Sequence, residues 1–244
     1  MIAILADDLT SALDGAAPFA ACGRSARVLL HPGALAGQHS ADVLAIDLDT
    51  RFAAPLHAQA EFRRAAQALR YAPVLFKTID STLRGHLGAE TCGALEGSGR
   101  QQALVAPAFP AAGRTTQHGR QWLHGAPLEQ TVFASDPRTP VTSSVVMDRM
   151  GGPHGVPAQR LRIHDAATDA DLDAIVASTG LYRPDLLWVG SPGLAAALAR
   201  AHRVPTRPAH PAPRTSPPQL RRPQRILVVV GSLHPANDGQ VEEL

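Results

Sequence analysis

Lysine is nearly absent from this chain: of 23 basic side chains in 244 residues, Lys77 is the single lysine and the other 22 are arginine. Cysteine is almost as scarce. Cys22 and Cys92 stand far apart with no Cys-x-x-Cys pair, which argues against a disulfide scaffold and a cysteine-ligated zinc site and fits a reducing cytoplasm. No stretch approaches the roughly 18 apolar residues of a membrane span, and the opening "MIAILADDLT" lacks the basic start and apolar length of a secretion signal. A basic stripe is missing too: formal net charge is +2 and the arginines are spread along the chain, so neither nucleic acid nor membrane is expected as a partner. The 11 histidines show no HxxxH or HxH spacing, and GxSxG, GxxxxGK[ST] and GxGxxG are absent. Zinc sites, hydrolase elbows and the familiar nucleotide loops are therefore not visible.

What is present is an apolar content of 45%, enough for a sizeable core, arranged in alternating strand and helix patterns. "IAILA", "ARVLL", "DVLAID", "PVLFKT", "QALVAP", "RLRIH" and "DLLWVG" read as buried strands. Between them lie helical stretches: one from Leu9, which Pro18 should kink or shorten; one over 53–69; and one over "STLRGHLGAETCGAL" with Leu83, Leu87, Thr91 and Leu95 on one stripe. Further helices are expected around 144–150, after a Thr168 cap, and after Pro192. The βαβα alternation predicts an α/β fold with a mostly parallel sheet flanked by helices, spanning 1–202. From 107 to 140 the pattern breaks into an irregular segment holding a short hairpin near Gly125-Ala126.

Residues 203–224 form a Pro/Arg-rich linker by composition. Residues 225–244, "RILVVVGSLHPANDGQVEEL", read as an orphan strand ending at Gly231-Ser232 and the first turns of a helix, opening a second α/β unit. Such a unit cannot bury its own apolar faces, so it is expected to dock on the first domain, pair with another chain or belong to a larger domain, and exchange of the segment between two copies is one way to cover it.

Ligands of open parallel sheets bind at the carboxyl ends of strands, and three such ends carry polar clusters. Asp7, Asp8, Thr10 and Asp14 follow the first strand. The carboxylates there suit substrate hydroxyls, a magnesium ion or a general base, while helix capping by one Asp is the plainer alternative. In "KTIDSTLRG", Asp80 or Ser81 is placed to cap the next helix, with Arg84 and Gly85 in its first turn as an anion cradle. Lys77 is not explained by capping: a retained lysine in an arginine-rich chain points to a site that needs a compact charge rather than a planar fork. Arg114 and Thr115 follow Gly113 in a third polar turn.

Taken together and in order, "ADDLTSALDGA", "KTIDSTLRGHLGAE", "PAFPAAGRTTQHG", "DPRTPV" and "VVVGSLHPANDGQ" resemble the four-carbon acid sugar kinase family, which includes threonate, erythronate and 3-oxo-tetronate kinases. The resemblance implies an amino-terminal sugar-acid-binding domain, a carboxyl-terminal ATP-binding domain, Mg²⁺, and transfer of phosphate to the C4 hydroxyl. By match to the family's motifs, Asp7, Asp8 and Asp14 fall in the first acidic motif, and Lys77, Asp80, Ser81, Arg84 and Gly85 in KxDSTLRG. Arg114 and Thr115 fall in GRTT, and Gly231 with Ser232 in the Gly-Ser motif that opens the nucleotide-binding domain. Lys77, Arg84 and Arg114 are expected to face the carboxylate or the incoming phosphoryl group, and the aspartates to hold hydroxyls. The first motif departs from the family's usual Thr-Gly-Ala by reading Thr10-Ser11-Ala12. The family's glycine-rich ATP motifs are not reached by Leu244, so residues 225–244 are expected to be the start of a truncated nucleotide-binding domain, and the chain alone to bind sugar acid without turning over ATP. The alternative is a non-catalytic sugar-acid-binding or interaction remnant.

Overall fold

A computed structural model describes residues 1–36, 40–202, 227–231 and 236–243. The chain divides into two units, Met1–Arg207 and Pro208–Leu244. In the first unit the elements run β1 (Ile2–Ala6), α1 (Leu9–Ala21), β2 (Ala26–Leu29), β3 (Val43–Asp47), α2 (Pro55–Ala68), β4 (Val74–Thr78) and α3 (Leu87–Ser98). They continue with β5 (Gln102–Ala106), β6 (Arg114–Gln117), β7 (Arg120–Leu123), β8 (Ala126–Pro127), α4 (Val146–Met150), β9 (Leu161–Ile163), α5 (Asp169–Thr179), β10 (Leu186–Gly190) and α6 (Pro192–Ala201).

Seven strands form one sheet in the order β2-β3-β1-β4-β10-β5-β9, and every neighbouring pair is parallel. The fold is α/β, as the alternation predicted. β1, β3, β4 and β10 are buried along their whole length, which is why they read as unbroken apolar runs. One core lies between the sheet and α2 and α3, with Leu5, Leu44, Phe62, Leu75, Leu95 and Val189. The other lies on the opposite face under α1, α5 and α6, with Ile4, Phe19, Phe76, Leu104, Leu172, Trp188 and Leu194. α2 and α3 approach so closely that a Cβ on Gly93 would sit 2.1 Å from the Gln59 carbonyl oxygen, so alanine there would force the helices apart.

β1 feeds α1 onto one face, while β4, its neighbour in the sheet, feeds α3 onto the other. Diverging connections of this kind leave a crevice at the carboxyl ends of the two strands, the usual ligand position in open α/β sheets.

Several local expectations are corrected. α1 runs three residues past Pro18 and is not cut short there. α3 starts at Leu87 with His86 as its N-cap, not at Ser81. The cause is backbone geometry: Leu83 (φ 61°) and Gly85 (φ 90°) are left-handed, a conformation no helical turn accommodates. Leu83 therefore leaves the predicted helical stripe, although its side chain is fully buried. The irregular 107–140 segment contains a three-stranded antiparallel sheet, β6-β7-β8. His118-Gly119 and His124-Gly125 turn its strands, with positive φ at all four positions, as two-residue hairpin loops require. The Thr168 cap holds as a full capping box with Asp171.

In the second unit residues 227–230 pair with no strand among the described residues, and Ala236–Glu242 forms α7. The 203–224 linker lies outside the described residues. Both cysteines are free thiols, and among the described residues no helix is long and apolar enough to cross a membrane.

Candidate functional site

The crevice between β1 and β4 opens into a cavity of about 310 Å³. Three carboxylates (Asp8, Asp14, Asp80) and three guanidiniums (Arg51, Arg84, Arg114) line it, with Thr10, Ser11, Thr78 and Ser81 between them and Phe109 as an apolar wall. Seven of the sequence-predicted residues thus meet at one mouth: Asp8, Thr10, Asp14, Asp80, Ser81, Arg84 and Arg114.

The α1 wall is built by the end of β1. Asp8 has extended backbone and accepts from the Ser11 N–H at 2.7 Å, so the plain capping reading holds for this carboxylate. Its second oxygen meets Arg51 Nη1 at 2.7 Å. Asp7 is buried behind it and grips Arg51 with both oxygens, from Nε at 2.7 Å and Nη2 at 2.9 Å. Arg51 Nη2 also donates to Ser11 Oγ at 2.9 Å. Burial works against the Arg51 charge, but Asp7, then Asp80 and Asp8, outweigh it and hold its pKa above the ordinary arginine value. Arg51 is a hub that the sequence reading missed, although it stands four residues past the end of β3, another strand edge of the same sheet.

The β4 loop forms the facing wall. Asp80 Oδ2 accepts from Arg84 Nε at 2.5 Å and from Thr82 Oγ1 at 2.6 Å. Arg84 reaches Asp136 at 3.3 Å and lies over the Phe133 ring at 5.2 Å. Burial pushes the Asp80 carboxyl up, and the charge and hydrogen bond of Arg84 more than reverse this, leaving it below the usual carboxylate value. Asp80 and Ser81 are therefore not helix caps, and Arg84 is not part of a helical turn. Gly85 lies behind the wall: its positive φ already favours glycine, and a Cβ there would come within 3.1 Å of Asp7 Oδ2.

Lys77 is corrected most. Its side chain is 1% exposed, does not line the cavity, and donates to Glu90 Oε2 at 2.6 Å and to the Thr78 carbonyl at 2.9 Å, with the Phe62 ring 5.0 Å away. It belongs to the floor, where its compact ammonium is enclosed between sheet and α3 by Glu90, the Thr78 carbonyl and the Phe62 ring. Glu90 is fully buried, and burial raises its pKa despite the opposing charge of Lys77.

Arg114 and Asp14 behave differently from these paired groups. Arg114 forms no ion pair among the described residues, and its Nε is buried without a hydrogen-bond partner there. Burial lowers its pKa from the arginine value. Asp14 likewise has no ion-pair partner among the described residues; partial burial, then Asp8, raise its pKa. Thr115 sits half-buried in the hairpin opposite Trp122 and does not line the cavity. Gly231 lies in the second unit, and Ser232 falls outside the described residues.

A family of sugar-binding N-terminal domains matches residues 2–162. The chain is 32% identical to D-threonate kinase of Salmonella typhimurium over 98% of its own length and 59% of the relative's. It is 34% identical to D-erythronate kinase of Heliobacterium modesticaldum, over 95% of this chain and 57% of that one. The chain belongs to the four-carbon acid sugar kinase family. It spans a little over half the length of these relatives. Among solved structures, a domain of unknown function from Bordetella bronchiseptica, a domain-swapped dimer with bound citrate, is 34% identical with a TM-score of 0.74, covering 82% of this chain and 57% of that one.

Proposed function

We propose that this chain supplies the sugar-acid-binding portion of an ATP-dependent kinase that phosphorylates the C4 hydroxyl of a four-carbon acid sugar. The observation that carries the reading is the charge pattern of the cavity: Arg114 has no ion-pair partner among the described residues and neither does Asp14, while both line the same cavity. A sugar acid has one carboxylate for the cation and several hydroxyls for carboxylate acceptors. Arg114, with Arg84 beside it, takes the carboxylate; Asp14 and Asp8 accept from hydroxyls; Arg51, locked by Asp7, keeps Asp8 in place. Kinase relatives named for D-threonate, D-erythronate and 3-oxo-tetronate support this substrate class.

In such a reaction the contribution of these residues is to bind and orient the acceptor, because phosphoryl transfer depends mainly on positioning and charge stabilisation. ATP, with Gly231 and Ser232 as contacts in the second unit, belongs to the proposal through the family. Among the described residues no group of three His, Cys, Asp or Glu suited to a metal occurs, so no side chain of the cavity is assigned to the Mg²⁺ that accompanies ATP, which is held mainly by phosphates and water with one or two carboxylates. Asp7, Asp8 and Asp80 also spend oxygens on arginine. A dimer with an exchanged carboxyl-terminal segment and a cytoplasmic setting complete the reading; the Bordetella bronchiseptica structure is a domain-swapped dimer.

Calorimetric titration of the 244-residue protein with D-threonate, D-erythronate and 3-oxo-tetronate tests it. Saturable binding of at least one acid is expected; well-folded protein that binds none of the three overturns it.

A further inference from the structure

Gln121, on β7, is fully buried and uses its whole amide. Nε2 donates to the Ser81 carbonyl at 2.9 Å and to the Pro107 carbonyl at 3.1 Å, and Oε1 accepts from Thr116 Oγ1 at 2.7 Å. Two carbonyls on one side and a hydroxyl on the other fix which end of the amide is which, since only the NH₂ group can serve two acceptors. The three partners belong to separate stretches. Ser81 follows Asp80 in the β4 loop, Pro107 follows β5 and leads to Phe109, and Thr116 lies two residues after Arg114.

We propose that Gln121 is a positioning residue that fixes the β4 loop against the Arg114 hairpin and thereby sets the length of ligand the cavity accepts. The inference rests on the sugar-acid reading of the site. Gln121 touches no cavity lumen and acts only through the loops it joins. No other side chain among the described residues hydrogen-bonds both to the β4 loop and to the Arg114 strand. Backbone pairing does not replace it: Thr116 pairs with Ala166 and Gln121 with Ser144, both away from Ser81. A buried amide with every group satisfied is stiff, because releasing any one bond leaves a desolvated partner. Gln121 therefore sets the gap between the Asp80–Arg84 wall and the Arg114 wall, together with the Arg84–Asp136 ion pair farther out, and the gap decides whether an acid of three, four or five carbons fits between the two walls.

The test uses Gln121→Leu and Gln121→Glu in the full chain, with glycerate, D-threonate and a five-carbon aldonate as probes, and hydrogen exchange as a second readout. Wild type is expected to prefer the four-carbon acid. At pH 8 both variants lose about tenfold in D-threonate affinity, the scale of one buried hydrogen bond, and the four- to five-carbon ratio falls toward one. Amides at 80–86 and 113–117 exchange faster while those of α5 stay as in wild type. Lowering the pH to 5 restores Gln121→Glu, whose neutral carboxyl donates one hydrogen bond, and leaves Gln121→Leu unrestored.

An unchanged length ratio, a loss equal for all three acids with exchange raised throughout, or a pH-independent Gln121→Glu overturns the proposal. Should either variant fail to fold, Gln121→Met carries the ratio and exchange measurements. If wild type binds no acid, the sugar-acid reading fails and the length claim fails with it. Exchange at the two loops then reports separately on whether Gln121 joins them.

Discussion

The floor and the rim of the cavity use the same residue types for opposite ends. On the floor, Lys77 closes on Glu90 and Arg51 on Asp7, each at 2.6–2.7 Å, the first pair fully buried and the second nearly so. At the rim, Arg114 and Asp14 have no ion-pair partner among the described residues although both reach the cavity. Charges that satisfy one another build the sheet end and hold it in shape. Charges left open are those available to a ligand. The difference separates residues whose loss should damage folding from residues whose loss should damage binding.

Breaking the floor gives the largest effect. Lys77→Met leaves Glu90 buried and uncompensated, and denaturant unfolding should show about 3–5 kcal/mol of destabilisation. Adding Glu90→Leu should recover much of it, because both desolvated charges are then gone. A double variant no more stable than the single would show that the pair is not the unit. At the rim, Arg114→Ala should weaken sugar-acid binding by about tenfold to a hundredfold, with stability within about 0.5 kcal/mol of wild type. A large fall in its unfolding midpoint would move Arg114 from rim to scaffold.

The acid limb of the stability curve sharpens the comparison further. Asp80 has a native pKa lowered below 3.8, so its contribution is present above that value and is lost as pH falls from about 3.8 through the lowered native one. Glu90 is raised above 4.5 and has the opposite sign: its contribution is present below 4.5 and is lost as pH rises through the native value. Urea midpoints from pH 2 to 7 should therefore flatten at the acid end in Asp80→Asn and at the upper end in Glu90→Gln. The smallest effect belongs to Asp14→Asn, which keeps a hydrogen-bond acceptor and relieves repulsion from Asp8. Titration should show a few-fold loss for the acid, within the scale of one neutral hydrogen bond.

Much of this arrangement is legible in the sequence. Buried parallel strands write themselves as apolar runs, and their carboxyl ends carry polar residues, so Asp8, Asp14, Asp80, Arg84 and Arg114 are found by that rule alone. The β4 loop is misread because Leu83 adopts a left-handed backbone that nothing in its side chain announces, and apolar spacing then extends α3 backward by six residues. Lys77 is expected to face the ligand at the mouth of the sheet, whereas its side chain is buried against Glu90 of α3 and does not line the cavity. Its partner, Glu90, lies in the same quoted stretch, but which of two buried ends a strand lysine faces depends on α3, whose start was mistaken. Arg51 is missed because "IDLDTRF" matches none of the motifs that single out the other strand ends. Gln121 was missed because nothing local marks a glutamine as the junction of three distant segments.

The central claim, that the open rim cation reads the ligand's carboxylate, is tested most directly by comparing D-threonate with threitol, the same carbon skeleton without the carboxylate, on wild type and Arg114→Ala by calorimetry. Wild type should bind the acid at least tenfold more tightly than the polyol, and Arg114→Ala should remove that preference while leaving the unfolding midpoint unchanged. A variant that keeps the full preference for the acid would contradict the account.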